Sequence, residues 1–171
     1  ADGVPTVSTH TLGTDGSDET TFSGLGINRV VVSLSGSDNY NASLITVTAT
    51  TGGTIQATVP ASGGVTQQAI YHVGTANTAY AQFLWINVGK AGGGNAKVIV
   101  RGLVYNRTID SVFEIFRALV DTSVETTLPV HDPVHFALSP GDILYFVADT
   151  DTSAASINLR FSLNEYRAGL F

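Results

Sequence analysis

The sequence predicts an all-β fold, an antiparallel β-sandwich of jelly-roll type. Hydrophobic residues make up 43% of the 171 residues and charged residues only 13%, and stretches of Val, Ile, Thr and Ser favour strands over helices. Clusters of Gly, Thr, Ser and Asp interrupt the chain about every eight to twelve residues, a spacing typical of short strands joined by turns. Roughly ten to twelve strands fit this spacing.

One domain accounts for most of the chain, because 171 residues can bury a substantial core without a disulfide or a metal. We expect residues 1–12 to form an extended N-terminal arm, since a chain end usually becomes ordered only by docking on something else. Residues 13–171 are then a single sandwich domain. Polar, Gly-rich loops or weak edge strands are expected at 13–26 and 50–54.

Three segments alternate apolar and polar residues, as half-buried strands do: 29–34, 43–50 and 156–165. Each is predicted to have one face in the core and the other in solvent. The last segment is the clearest, and its inward-facing residues are Ile157, Leu159, Phe161 and Leu163.

Four further segments are apolar on both faces, so we expect a second sheet to cover one face and a neighbour to cover the other. They are 80–88, 97–105, 112–120 and 143–149. The third contains the helix formers Glu114 and Arg117, but its β-branched and aromatic residues favour a strand. The Gly-rich segment 89–95 predicts a hairpin between the first two.

The predicted core is built from these strands. Its members are Val98, Val100, Phe113, Ile115, Phe146, Leu159, Phe161 and Leu163. A sandwich of this size has a limited interior, so some apolar side chains of 80–88, 97–105 and 143–149 are expected to face a partner subunit.

Charge and residue content exclude several classes of function. The net charge is −6 and the eight Lys and Arg residues are spread along the chain, so neither nucleic acid nor an anionic membrane surface is an expected partner. No cysteine is present, which excludes disulfides, thiolate metal sites and cysteine nucleophiles. We find no membrane-length apolar run and no secretory leader pattern, and we expect a soluble mature chain.

His131, Asp132 and His135 stand close together in the sequence and could supply nitrogen and oxygen ligands to a metal. Pro133 favours an extended path, which places residues 131 and 135 on one face about 13 Å apart at 3.3 Å per residue. Zinc needs its ligands within a few ångströms of one another. We therefore interpret this segment as the approach to a buried strand and predict that it binds no catalytic metal.

Two acidic clusters contain carboxylates of the kind that bind calcium: Asp149 with Asp151, and Asp15 with Asp18 and Glu19. Neither has the alternating pattern and terminal glutamate of an EF-hand loop. Solvated turns explain both clusters more simply. No cofactor is predicted, and calcium at Asp149 and Asp151 stays open as the alternative.

Other short motifs lack the context that their chemistry needs. The Gly-Lys of 89–97 has neither the preceding glycine nor the following Ser or Thr of a phosphate loop, and 24–29 lacks the third glycine of a dinucleotide fingerprint. The sequons at Asn41 and Asn106 are interpreted as chance matches, because no secretory leader is found. No nucleophile elbow surrounds any serine, so no catalytic residue is predicted and a non-enzymatic role is favoured. An unrecognised hydrolase stays open.

Seven aromatic residues could form a platform on which sugars stack: Tyr40, Tyr71, Tyr80, Trp85, Tyr105, Tyr145 and Tyr166. Most of them lie inside strong strand patterns, so we expect them to pack in the core. Tyr40, in a loop, is the one expected to be exposed.

Residues 112–166 resemble β-sandwich structural proteins of tailed-bacteriophage particles, small proteins that decorate or cement capsids or form fibre tips. The elements that carry the resemblance are a long apolar strand, the connection DTSVETT, the segment DPVHFALSPGDILYFVA with its Pro-Gly-Asp turn, and a closing alternating strand. They cover about a third of the chain. A Leu-x-Pro-Gly-Asp sequence before a strand also occurs in receptor-binding and cytokine-like jelly rolls.

The resemblance implies a non-enzymatic virion protein that binds an assembled shell as an oligomer, often a homotrimer, and stiffens it. The implied partners are the major capsid protein and further copies of the chain, and the implied location is the virion, assembled in the host cytoplasm. No catalytic residue follows from the resemblance. The alternative function is a receptor- or carbohydrate-binding β-sandwich module of a phage tail, a fibre or a secreted protein.

Overall fold

Strands dominate the part of the chain that the structure describes. The computed structural model describes residues 7–12, 26–33, 40–66, 68–89, 95–124, 126–130, 136–151 and 156–167. Within these ranges there are ten strands and no helix. The strands are β1 (Ile45–Thr48), β2 (Ile55–Val59), β3 (Ile70–His72), β4 (Asn77–Gly89), β5 (Lys97–Asn106), β6 (Ser111–Asp121), β7 (Thr127–Val130), β8 (Ala137–Leu138), β9 (Ile143–Thr150) and β10 (Ser156–Arg167).

Two antiparallel sheets of four strands form the sandwich. In sheet I, β10 pairs with β4 along the length of both strands, and β7 and β8 also pair with β4. In sheet II the strand order is β3-β9-β5-β6. Strands β1 and β2 pair separately as a two-stranded sheet. The predicted all-β, antiparallel sandwich is confirmed.

The core consists of two clusters of buried side chains drawn from both sheets. The first is Leu84, Ile86, Val88, Ala96, Val98, Val100 and Val120. The second is Val73, Ala79, Val104, Leu138 and Leu144. Phe146 and Phe161 pack against both clusters, with ring centroids 5.2 Å apart. Seven of the eight predicted core residues therefore lie in these clusters or pack against them.

Phe113 is the exception, because its side chain is 46% exposed. It lies opposite the buried Val104 in the β5–β6 pair, so it is on the inner face of sheet II, since directly opposite residues share a face. Strand β6 is the last strand of its sheet, and Phe113 lies near the start of that strand. The prediction that it belongs to the core is wrong because this corner of the sandwich stays open to solvent.

The strands predicted to be covered on both faces are buried on one face only in the single chain. In β5, Val98 and Val100 are fully buried while Ile99 between them is 36% exposed. In β4, Ile86 is fully buried while Trp85 is 42% exposed. The outer faces of both sheets therefore keep apolar and aromatic side chains that are partly exposed.

Two local predictions are corrected by the strand pairing. The segment 89–95 does not join a hairpin, because β4 lies in sheet I and β5 in sheet II. Strand β5 instead forms its hairpin with β6, through residues 107–110. In the described part of 29–34, only an isolated bridge between Val31 and Val65 is found, not a strand. The alternation predicted for 43–50 is confirmed, with Ile45 and Val47 half-buried on one face.

Candidate functional site

The outer face of sheet II carries apolar side chains that a single chain leaves partly exposed. The register places Ile99 opposite Leu119, and Tyr105 opposite Val112. Ile99, Leu119 and Val112 are 36%, 59% and 53% exposed. Half-buried neighbours on the same face extend this surface: Leu103, Tyr105, Ile143, Tyr145 and Val147. We call these eight residues the apolar face.

Two ion pairs cross the middle of the apolar face. Arg101 and Arg117 lie directly opposite each other, which is unfavourable for like charges. Arg101 Nη2 donates to Asp149 Oδ2 at 2.8 Å, and Arg117 donates from Nε and Nη2 to the two oxygens of Glu114 at 2.7 and 2.8 Å. The hydrogen bonds from Arg117 lower the pKa of Glu114. The four charges cancel, so they do not repel an approaching copy of the same face.

The outer face of sheet I carries three exposed aromatic rings: Tyr80, Trp85 and Tyr166, which are 41%, 42% and 40% exposed. The rings of Tyr80 and Tyr166 meet edge to face, with centroids 6.0 Å apart. The expectation that these three pack in the core is wrong. We call the following set the aromatic face: Tyr80, Trp85, Asn87, Asn158, Arg160, Ser162, Asn164 and Tyr166.

A β-bulge in β4 places Tyr80 and Trp85 on the same side of sheet I. The pairing with β10 passes from Phe83 to Ala81 and leaves Gln82 without a partner. Successive residues of a strand point to opposite faces, so residues five apart normally face opposite sides. The extra residue of the bulge shifts this alternation by one position, so Tyr80 and Trp85 point to the same side. The burial of the neighbouring residues shows the same shift. Ala81 and Leu84 are three positions apart, on either side of the bulge, and both are buried in the core.

The other four residues of the predicted aromatic platform lie outside the aromatic face. Tyr40 is 59% exposed, as predicted. Tyr105 and Tyr145 are half-buried on the apolar face, and the hydroxyl of Tyr105 donates to Asp110 Oδ1 at 2.7 Å. Tyr71 is half-buried and donates its hydroxyl hydrogen bond to Glu165.

Glu165 links the two sheets through hydrogen bonds. Its carboxylate, on β10, accepts hydrogen bonds from the Tyr71 hydroxyl on β3, from the Gly74 backbone N–H at 2.8 Å and from Asn77 Nδ2 at 3.0 Å. Burial, together with the bond to Glu165, raises the pKa of Tyr71. Both carboxylate oxygens are engaged, so this cluster serves to hold the sandwich together.

His72 is held in place at the end of β3. Its Nδ1 lies 3.0 Å from Asn28 Oδ1, which also accepts the backbone N–H of His72 at 2.8 Å. Gly26 lies so close to the imidazole that a Cβ atom there has no room. Burial, and to a smaller extent the charge of Arg107, lowers the pKa of His72. These contacts give the ring a structural position.

The two sequon asparagines also have structural roles. Asn41 is buried, and its Nδ2 donates to the carbonyl oxygens of Ser43 and Pro60, each at 2.7 Å, while its Oδ1 accepts the N–H of Gly64 at 3.1 Å. Asn106 Oδ1 accepts the N–H of Thr108 at 3.0 Å in the β5–β6 turn. The side chain of Asn41 is therefore inaccessible to modification in the folded chain.

Of the candidate metal ligands, only Asp149 and Asp151 lie among the described residues. The segment 131–135 and the cluster of Asp15, Asp18 and Glu19 lie outside the described residues. Asp149 pairs with Arg101, and Asp151 Oδ1 accepts the backbone N–H of Lys97 at 2.9 Å. Over the described ranges, no three His, Asp or Glu side chains form a group suited to a metal ion.

A cleft of about 640 Å³ opens beside β9 and β10. Its lining is mixed in polarity and comes from three segments, together with Val100: Thr66 with Gln68 and Ala69, Phe146 to Ala148, and Ser156 to Leu159. Strand β10 is the first strand of sheet I in the described pairing order. The first residues of this strand, Ser156 to Leu159, form one wall of the cleft.

Comparison with protein-family models, curated proteins and solved structures found no significant match for this chain. Among the described residues, no helix is long and apolar enough to span a bilayer. Evidence for the function of the chain therefore comes from the outer faces of sheets I and II.

Sequence reasoning missed the aromatic face, although part of its signal is visible in the sequence. In 156–165 the polar residues Asn158, Arg160, Ser162 and Asn164 alternate with core residues, and one further step of two reaches Tyr166. That period places Tyr166 on the solvent side. The positions of Tyr80 and Trp85 had no such signal, because the bulge at Gln82 is visible only in the strand pairing.

Proposed function

We propose that the chain is a non-enzymatic structural protein of a bacteriophage virion, which decorates the capsid and stabilises it by binding as an oligomer. The observation that carries the proposal is the apolar face. Ile99 and Leu119 lie exposed at one end of the apolar face and Val112 at the other, and the charged residues between them are paired with each other. Exposed apolar side chains concentrated on one face of a folded chain mark a site of protein association.

The apolar face suits contact between copies or with a shell subunit. Covering the exposed part of each of these three side chains contributes about 1 kcal/mol. The ion pairs of Arg101 and Arg117 already satisfy their charges, so an apolar partner meets no unpaired charge there. A homotrimer that binds the major capsid protein is the arrangement we propose.

Stabilisation then follows from mass action and needs no chemistry. A protein that binds the assembled lattice, and not its separated subunits, adds its binding free energy to the cost of disrupting the particle. Many weak contacts repeated over a shell are sufficient, because linked binding events raise the overall affinity.

Sedimentation velocity over a concentration series tests the proposal. We expect the full chain to sediment as a homotrimer and to co-sediment with capsids assembled from the major capsid protein of the same particle. Leu119→Lys places a charge in the apolar face and should weaken association about tenfold or more. Val124→Lys is the matched control, because Val124 is 84% exposed in a turn outside the apolar face. A monomeric wild type, or an unchanged Leu119→Lys variant, contradicts the proposal.

A further inference from the structure

The aromatic face exposes rings in a row that can be covered by a flat ligand. Tyr80, Trp85 and Tyr166 each expose about two fifths of their surface on one side of sheet I. Aromatic side chains combine a large apolar surface with a polar edge, which suits ligands that present both C–H groups and hydroxyls. Sugar rings have this combination, since their C–H faces stack on aromatic rings while their hydroxyls project sideways.

A row of polar side chains borders the aromatic rings. Asn158, Arg160, Ser162 and Asn164 occupy alternate positions of β10 and therefore point to the same face. Within the described part of the chain, these four side chains make no hydrogen bond or ion pair. They supply donors and acceptors at the height of the aromatic rings, where the hydroxyls of a stacked sugar would lie.

The charge of the aromatic face is opposite to that of the whole chain. The chain carries a net charge of −6, yet Arg160 is the only charged residue among the described outward side chains of β4 and β10. It lies directly opposite Trp85, and opposite residues have Cβ atoms about 4.5–5.5 Å apart. A guanidinium binds a carboxylate through two parallel hydrogen bonds, which favours an acidic ligand over a neutral one. A single cation is too few for a polyphosphate chain.

The spacing of the aromatic rings indicates a chain of sugars rather than one ring. Tyr80 and Trp85 are five residues apart on the same side of β4, which corresponds to about 15 Å at 3.3 Å per residue with the bulge between them. Trp85 and Arg160 lie at one end of this row, and the Tyr80–Tyr166 pair lies at the other. A ligand that contacts both ends must be extended.

From these observations we propose that the aromatic face binds an acidic oligosaccharide of the hexuronate class, with one ring stacked on Trp85, its carboxylate on Arg160 and a later ring on Tyr80 and Tyr166. The site lies on sheet I, whereas the proposed association uses sheet II. A copy attached to a particle through sheet II therefore presents this face outward. The inference goes beyond the proposed function and does not depend on it.

Trp85 gives a direct reporter for the test, because it is the only tryptophan of the chain. We expect oligogalacturonate to cause a saturable change in its fluorescence. The fully methyl-esterified form of the same oligosaccharide, which lacks the charge, should bind several-fold more weakly. Added salt should also weaken the binding of the acidic form.

Variants separate the roles of the ring and of the cation by calorimetric titration. Arg160→Ala and Trp85→Ala should each weaken binding of oligogalacturonate about tenfold or more. Arg167→Ala is the matched control: Arg167 is also an exposed arginine of β10, about 23 Å away along the strand, and its loss should leave the affinity unchanged. Arg160 is exposed on a strand, so this variant should keep the fold even if the tryptophan variant does not.

Three results would overturn the inference. The first is the absence of any saturable fluorescence change with both oligogalacturonate and alginate oligomers. The second is equal affinity of the wild type and Arg160→Ala, or of the acidic and esterified ligands. The third is a change of Trp85 fluorescence with protein concentration alone that follows sedimentation, because the face would then be a contact between copies.

Discussion

Single polar side chains join segments of this protein that are far apart in sequence. Asn41 holds the chain between Pro60 and Gly64 beside the β1–β2 pair, and Glu165 holds β3 against β10. A buried polar group that loses its partner costs about 1–3 kcal/mol, so replacement of either residue should destabilise the fold. His72, bonded to Asn28, is the histidine of this group, and an imidazole has an ordinary pKa of about 6.5.

Stability should fall as the pH drops below neutral, in part because of His72. Burial lowers the pKa of His72, so the folded chain favours the neutral ring. Below the unfolded pKa of about 6.5, the unfolded chain binds more protons at this position than the folded chain does. The contribution of His72 to stability is therefore complete above that pH and is lost as the pH decreases further.

Urea unfolding at pH 7 and pH 5 measures this effect. We expect His72→Gln, which keeps an amide next to Asn28 but cannot titrate, to lose less stability between the two pH values than the wild type. His10→Gln is the control, because His10 is exposed and lies outside both core clusters, so its replacement should leave the stability at pH 7 unchanged. An equal pH dependence of the wild type and His72→Gln would show that His72 does not contribute.

At the scale of single strands, β-bulges decide which residues share a face. In β6 the pairing with β5 passes over Ile115, so Ile115 and Phe116 both pack against the core. Gly102 lies opposite Phe116 at the same bulge. A Cβ atom at Gly102 would lie 3.0 Å from Phe146 Cε1 and 3.1 Å from Phe116 Cβ. Glycine is required there because two phenylalanines pack over it.

Gly102→Ala should reduce the free energy of unfolding by about 1–3 kcal/mol, because the added methyl group overpacks a buried site. Gly89→Ala is a matched control at the end of β4. There the nearest atom is the hydroxyl of Ser156, whose exposed side chain can rotate away, so we expect a change within about 0.5 kcal/mol. Urea unfolding of both variants tests this, and equal losses at the two glycines would contradict it.

At the scale of the whole molecule, the two outer faces of the sandwich differ in chemistry. Sheet II presents aliphatic side chains and internally paired charges, whereas sheet I presents aromatic rings, amides and one cation. The described residues 7–12 belong to neither sheet and are exposed, with Val7 at 96%. The molecule therefore offers three distinct surfaces for contact.

Deletion of residues 1–12 should leave the sandwich folded but weaken attachment to a capsid. The described part of this segment makes no contribution to either core cluster, so we expect the melting temperature to change by less than about 2 °C. An extended segment can add to the sheet edge of another chain, which is why its loss should reduce co-sedimentation with capsids. Equal binding by the truncated and full chains would exclude a role for the arm.

The sequence by itself determined the strand-rich, antiparallel class of this protein and most of its core. Alternation placed Leu159, Phe161 and Leu163 correctly, since a side-chain period of two depends only on local backbone geometry. Only the tertiary structure decided which strands pair, so the Gly-rich segment 89–95 proved to connect two sheets. It also decided which apolar side chains remain outside. Trp85 and Tyr80 share an exposed face because a bulge shifts the period by one residue, and that shift arises from pairing with β10.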